Sequence, residues 1–289
     1  MSVAPPQTRP SQRRATPSTS RRSKLSLHAA LMLVFLAYVL PLLFVAVSSF
    51  KANVDIMNEP LSLIFSPTLE AYQAVLNSAL ASALKNSLII SVLATAVTLG
   101  VGVPLAYVLS RLHVRWTGIV VGVLIALQMV PASTAVIPLY ALLPALNLLG
   151  TLHGVALAIA ASITPYAVLL LRPFYLAVPR EVDEAAEVDG AGPFRRFVLI
   201  ALPLVRNGVL VITILVYIMA WGEFVFALSF LTESSQFPLS ILLVLQQGQY
   251  GTQYSNLMAL SLIGSIPTII LFLFAARRLT SGLALGAGK

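Results

Sequence analysis

A chain of 289 residues with 58% apolar and only 10% charged side chains carries far more hydrophobic surface than a water-soluble domain of its length, which excludes a soluble enzyme or binding module. A net charge of +8 would suit a nucleic-acid binder by amount, but the placement of the basic residues described below argues against one. There is no cysteine, so disulfides and thiolate metal sites are excluded as well.

Residues 1–24 are rich in Pro, Ser, Thr, Gln and Arg and too poor in apolar groups to offset the entropy of ordering, so they read as a disordered basic cytoplasmic tail attracted to anionic lipid. The pairs Arg13-Arg14 and Arg21-Arg22 ahead of an apolar run are also what a twin-arginine export signal would show, but the run argues against one. The apolar run that follows, Leu27 to Phe50, is longer than the ~7–15 residues of a signal core and has no clear cleavage site after it.

Five further runs are long enough to cross a hydrocarbon core that takes roughly 20 helical residues. They are Ser87 to Ser110, Thr117 to Leu142, His153 to Leu176, Gly208 to Leu231 and Ser255 to Ala276, the third and fourth of the six interrupted by prolines. Sixteen of the eighteen basic residues flank these runs on one side of the membrane, and Lys51 and Lys85 sit at span ends where their stems reach the headgroups. Six spans with both termini cytoplasmic satisfy that bias. Between the first and second runs, residues 51–86 form an external segment with an amphipathic stretch, Leu69 to Leu84. Short connections elsewhere make neighbouring spans antiparallel.

Within the spans, hydroxyl, amide and aromatic groups that suit a sugar path occur at Gln128, Ser133, Thr134, Tyr140, Trp221, Asn256 and Ser261. Each of these can instead bond its own helix or a neighbour. Glu223 is the clear intramembrane carboxyl, to be solvated, paired or set on a water-filled path. His113 and His153 stand at span ends, with no spacing to a carboxylate that suggests a metal.

Charge returns between the fourth and fifth spans, over about residues 179–207. Pro179 suits a first helical turn, and Glu181, Asp183 and Glu184 suit the positive end of the helix dipole. Gly190 can close this helix with a left-handed residue; Pro193 then opens a second helix, Phe194 to Ala201, stopped by Pro203. On these grounds alone the segment is either a solvated loop or a rigid helix pair that another protein holds.

Here Glu184-Ala185-Ala186, then Gly190, then Ile200-Ala201-Leu202-Pro203 resemble, gap for gap, the cytoplasmic loop of permease subunits of bacterial ATP-binding-cassette importers. The resemblance runs from about residue 28 onward and is nearest the maltose-type carbohydrate branch. It includes Pro67-Thr68-Leu69-Glu70, Asn86-Ser87-Leu88, Ile137-Pro138-Leu139-Tyr140, Leu149-Gly150-Thr151 and Leu171-Arg172-Pro173-Phe174. Trp221-Gly222-Glu223-Phe224 is similar to that branch's Trp-Asn-Glu/Asp-Phe, with Gly222 replacing the usual Asn, and the ending through Gly286-Ala287-Gly288-Lys289 is similar to the branch's tail. That tail is no phosphate loop, because its glycine spacing is wrong and no Ser or Thr follows the lysine.

The resemblance implies an all-α membrane protein: a permease domain over 25–276 with six transmembrane helices, a cytoplasmic coupling-helix loop between the fourth and fifth, and a cytoplasmic tail over 277–289. It implies a permease for a sugar or oligosaccharide in a bacterial or archaeal cell membrane, with no catalysis and no cofactor of its own. Its partners would be a second related permease, an external solute-binding protein and two ATPase subunits that carry ATP and Mg, with lipid around it and no nucleic acid. Glu184, Ala185, Ala186, Asp189 and Gly190 are then expected to dock the ATPase, with Phe194, Ile200, Leu202 and Pro203 supporting the loop. Gln128, Tyr140, Trp221, Glu223 and Asn256 are the candidates for the substrate path. The alternatives are the same architecture importing a polyol or glycerophosphodiester, or an ion-coupled secondary carrier.

Overall fold

A computed structural model describes the backbone of residues 21–111, 115–248 and 251–286, and side chains over 28–111, 115–248 and 251–276. Residues 1–20 of the expected basic tail, residues 287–289 of the expected C-terminal tail, and His113 lie outside the described residues.

The chain divides into two compact units, residues 1–47 and 48–289. The first contributes helix α1, Arg21–Ser48, which is apolar on every side from Leu31 to Phe44. The second begins with an external segment holding α2, Asn53–Asn58, and α3, Glu70–Leu76. Lys51 differs from the sequence expectation: it does not reach outward but is 1% exposed. Its ammonium donates to the carbonyls of Pro60 at 3.0 Å and Ser62 at 2.5 Å and stands 5.1 Å from the centre of the Phe65 ring, so the turn around it satisfies a buried cation.

The core is a helix pair, α4 (Leu80–Arg111) and α7 (Leu152–Leu176), packed along their lengths. Alanines at 94, 106, 156 and 167 are wholly buried there, and Gly102 lies against Ala167 and Val168, because small side chains let membrane helices approach closely. Hydroxyls along these helices bond back into their own turns, as Thr95 does to the Ser91 carbonyl at 2.6 Å and Thr164 to Ala160 at 2.6 Å.

Between them run α5 (Thr117–Gln128) and α6 (Val136–Leu142), which flank a 3₁₀ turn at Ala132–Ala135. The expected third span is therefore two helical pieces bent by 96°, because Pro131 forces the preceding residue out of helical geometry and Pro138 and Pro144 follow.

Beyond α7 come α8 (Arg180–Val188), α9 (Pro193–Arg196), a π-helical turn at Phe197–Ala201, α10 (Leu202–Leu204) and α11 (Arg206–Trp221). The expected fifth span from Gly208 to Leu231 is not continuous. Its helix stops at Trp221 and restarts as α12, Val225–Phe230, where the Glu223 carboxylate accepts the Phe226 amide at 2.8 Å and the Ala227 amide at 3.3 Å. Then α13 (Leu239–Leu245), a two-stranded hairpin of β1 (Gln247–Gly248) and β2 (Gly251–Thr252), and α14 (Tyr254–Gly286) complete the chain. The last helix continues beyond Ala276, where the C-terminal tail was expected to begin.

Among the described residues four helices are long and apolar enough to cross a membrane, or up to six if each bent pair counts as one span. The second crossing starts earlier than its apolar run, at Leu80, and the quoted Asn86-Ser87 pair has a clear task. Asn86 donates to the Ser235 carbonyl at 2.9 Å and the Ser87 hydroxyl accepts the Leu239 amide at 2.8 Å, which ties the α12–α13 connection to α4.

Candidate functional site

The elbow between α7 and α11 is built from cap chemistry. Pro179 stands at the N-cap of α8, one residue earlier than expected, and Glu181 and Asp183 occupy its first turn, where the dipole favours acid. Gly190 has φ +81, and the Gly190 amide donates to the Glu187 carbonyl at 3.0 Å while the Ala191 amide donates to Ala186 at 2.9 Å. That pair of bonds is a Schellman closure, which requires a left-handed residue and so favours glycine.

Pro193 then opens α9 at its first helical position. Pro203 does not stop this second helix, which continues to Leu204. The π-helical turn just before it absorbs the missing proline N–H, and the chain breaks instead at Val205, bending by 79° into α11.

The elbow exposes Glu184, Ala185 and Asp189. Phe194 of α9 and Val188 of α8 are 79% and 88% exposed, and Val188 lies between Glu187 and Asp189 in the chain. Ala186 departs from the expected outward role: it is 6% exposed and faces this chain's own interior, so its small size serves the packing of α8. Ile200 and Leu202 are half-buried, and Pro203 is exposed.

The sequence reading missed how the elbow is held. The Arg111 guanidinium, at the last residue of α4, approaches the Asp183 carboxylate at 2.9 Å as an ion pair outside hydrogen-bonding angles, and donates to the Val178 carbonyl at 2.7 Å. Arg196 of α9 bonds Glu187 of α8 at 2.6 Å. Tyr107, one turn before Arg111, places its ring 5.1 Å from Phe197 and 5.7 Å from Tyr175. Around these groups lies a cavity of about 290 Å³ lined by Tyr107, Arg111, Arg180, Asp183, Glu184, Glu187 and Arg196. In sequence Arg111 reads only as a flanking positive charge; its position one turn after an aromatic residue at a span end was the available signal.

The substrate-path candidates are spread over different helix contacts. Gln128 donates to the Ser162 carbonyl of α7 at 3.4 Å, and the half-exposed Tyr140 lies 6.4 Å from the Phe230 ring of α12. Trp221 stacks on Tyr217 at 5.9 Å and donates to the Gly264 carbonyl of α14 at 3.2 Å. Asn256 is half-buried on α14, and Glu223 serves as the cap described above. The Ser261 hydroxyl bonds the Leu257 carbonyl and the Thr134 hydroxyl the Pro131 carbonyl, so both are engaged within their own turns.

Residues 99–280 match the family described as binding-protein-dependent transport system inner membrane component. The chain is 30% identical over 251 residues to the sulfoquinovosyl glycerol transport system permease protein SmoH of Agrobacterium fabrum, a match that covers 86% of this chain and 88% of that one. It is 30% identical over 277 residues to the glucose import system permease protein GlcU of Saccharolobus solfataricus, covering 92% and 96%. Its fold superposes with a TM-score of 0.73 on a chain from the crystal structure of a bacterial ABC transporter involved in import of the acidic polysaccharide alginate, at 21% identity, covering 91% of this chain and 99% of that one.

Proposed function

Because this chain belongs to the family of inner membrane components of binding-protein-dependent transport systems, as a permease subunit of the carbohydrate type, we propose that it forms, with a second related permease, the path for a sugar or oligosaccharide delivered by an external binding protein. In this reading the chain crosses the membrane six times with both termini cytoplasmic: the bent pair of α5 and α6 makes the third crossing, and α11 with α12 makes the fifth, which leaves α9 and α10 in the cytoplasmic elbow. Two separate ATPase subunits carry ATP and Mg. The elbow of α8 and α9 seats on one of them, with Val188 and Phe194 as apolar contacts and Glu184, Ala185 and Asp189 around them.

One observation carries the docking role: an exposed apolar and acidic surface on a helix pair fixed by its own caps. Such a surface accepts charge-assisted hydrogen bonds from a partner and passes the partner's rigid-body motion to α7 and α11, to which it is joined. The relatives do not favour a polyol or glycerophosphodiester substrate or an ion-coupled carrier.

The test is uptake of radiolabelled glucose, maltose and diacetylchitobiose by cells that express the complete transporter. At least one sugar is expected to accumulate, to stop accumulating when ATP is depleted, and to continue when an ionophore collapses the ion gradients. Uptake that follows the ion gradients and survives ATP depletion would overturn the proposal.

A further inference from the structure

α4 has no chain connection to the elbow, yet it is the principal packing partner of α7 and so must move if the core is to change shape. Its last residue grips the elbow at two points, since Arg111 pairs with Asp183 in the first turn of α8 and also donates to the Val178 carbonyl that precedes it. Both side chains are largely buried, at 5% and 15% exposure, so water screens the pair little. The ends also suit each other: a cation closes the negative end of the α4 dipole and an acid opens the positive end of α8. Tyr107, wedged against Tyr175 and Phe197, adds a packed contact one turn above the ion pair.

We infer that Arg111 is a positioning residue that latches α4 to α8, so that the two move as one body when the ATPase moves the elbow. This rests on the docking proposed above. Arg111 and Asp183 lie behind the exposed surface, so the latch differs from docking itself: without it the ATPase still binds and still moves α8, but α4 no longer follows.

The chain has no cysteine of its own, so spin labels at Val101→Cys on α4 and Glu181→Cys on α8 report one distance. It is measured by pulsed electron resonance in the reconstituted complex, nucleotide-free and trapped with ATP and vanadate. With Arg111 present that distance is expected to hold between the two states. In Arg111→Gln it is expected to shift by about 1–2 Å or more, the scale of helix movements in such transitions. Asp183→Ala, which removes the ion pair but leaves the bond to Val178 in place, should also give a shift, no larger than that of Arg111→Gln, and the double variant should not exceed Arg111→Gln alone. ATPase co-purification should be unchanged in all three. A distance that holds in both single variants, that shifts already with Arg111 present, or that shifts additively in the double variant would overturn the latch alone. Failure of the unsubstituted chain to bring down any ATPase would overturn the docking reading and the latch with it.

Discussion

Substituting Glu184→Lys is expected to abolish uptake and to remove the ATPase from the purified complex, while the chain still inserts in the membrane. Glu184 is exposed one helical turn from Val188, in the acidic and apolar surface of the elbow. Reversing its charge removes an acceptor for a charge-assisted hydrogen bond and sets a cation where the partner presents one. Loss of one member of such a pair costs about 2–5 kcal/mol of association. Gly190→Pro should have the same phenotype by another route. Proline fixes φ near −65° where the native residue has +81°, and it deletes the amide that donates to Glu187, so α8 loses its closure and the angle to α9 changes. Affinity capture of the ATPase with each variant, alongside a membrane-insertion control, measures both effects. Capture at the unsubstituted level with both variants would show that the elbow does not dock.

A second large effect is expected at Gly154, in the first turn of α7. A Cβ there would fall on the Leu148 carbonyl, a backbone atom that cannot rotate away. The connection behind it is already fixed: Asn147 is left-handed at φ 55, the Gly150 amide donates to the Phe230 carbonyl at 3.1 Å, and the Thr151 hydroxyl caps α7 by accepting the Gly154 amide at 3.0 Å. Gly154→Val should therefore destabilise the chain by about 3 kcal/mol or more, at the upper end of overpacking costs. This is read as a fall in the melting temperature of the detergent-solubilised protein and in its yield from membranes. An unchanged melting temperature would mean that the loop yields more readily than its hydrogen bonds indicate.

Much of this architecture is legible in the sequence because the bilayer imposes a length and a composition on each crossing. The runs ending at Ser110 and Leu176 became α4 and α7 within a few residues at those ends. Residues Pro179, Gly190 and Pro193 each act in a cap, since their backbone requirements are local and need no knowledge of the fold. The breaks were harder to read. Hydropathy does not register a bend of 96° at Pro131, nor the restart of a helix at Val225, which depends on where the Glu223 carboxylate finds free amides. Lys51 misled because a lysine at a span end usually reaches outward, whereas here carbonyls ten or so residues along the chain fold over it. The latch was invisible for a similar reason: Arg111 and Asp183 are separated by the whole of α5 to α7, and only tertiary structure shows that they meet.

The docking of the elbow is tested most directly by a photo-activated cross-linking residue at Ala185, which is exposed beside Glu184 on α8. Illumination of membranes that contain the complete transporter is predicted to join this chain to the ATPase subunit. Adducts only with lipid or with this chain itself, in membranes where the transporter is active, would contradict the account.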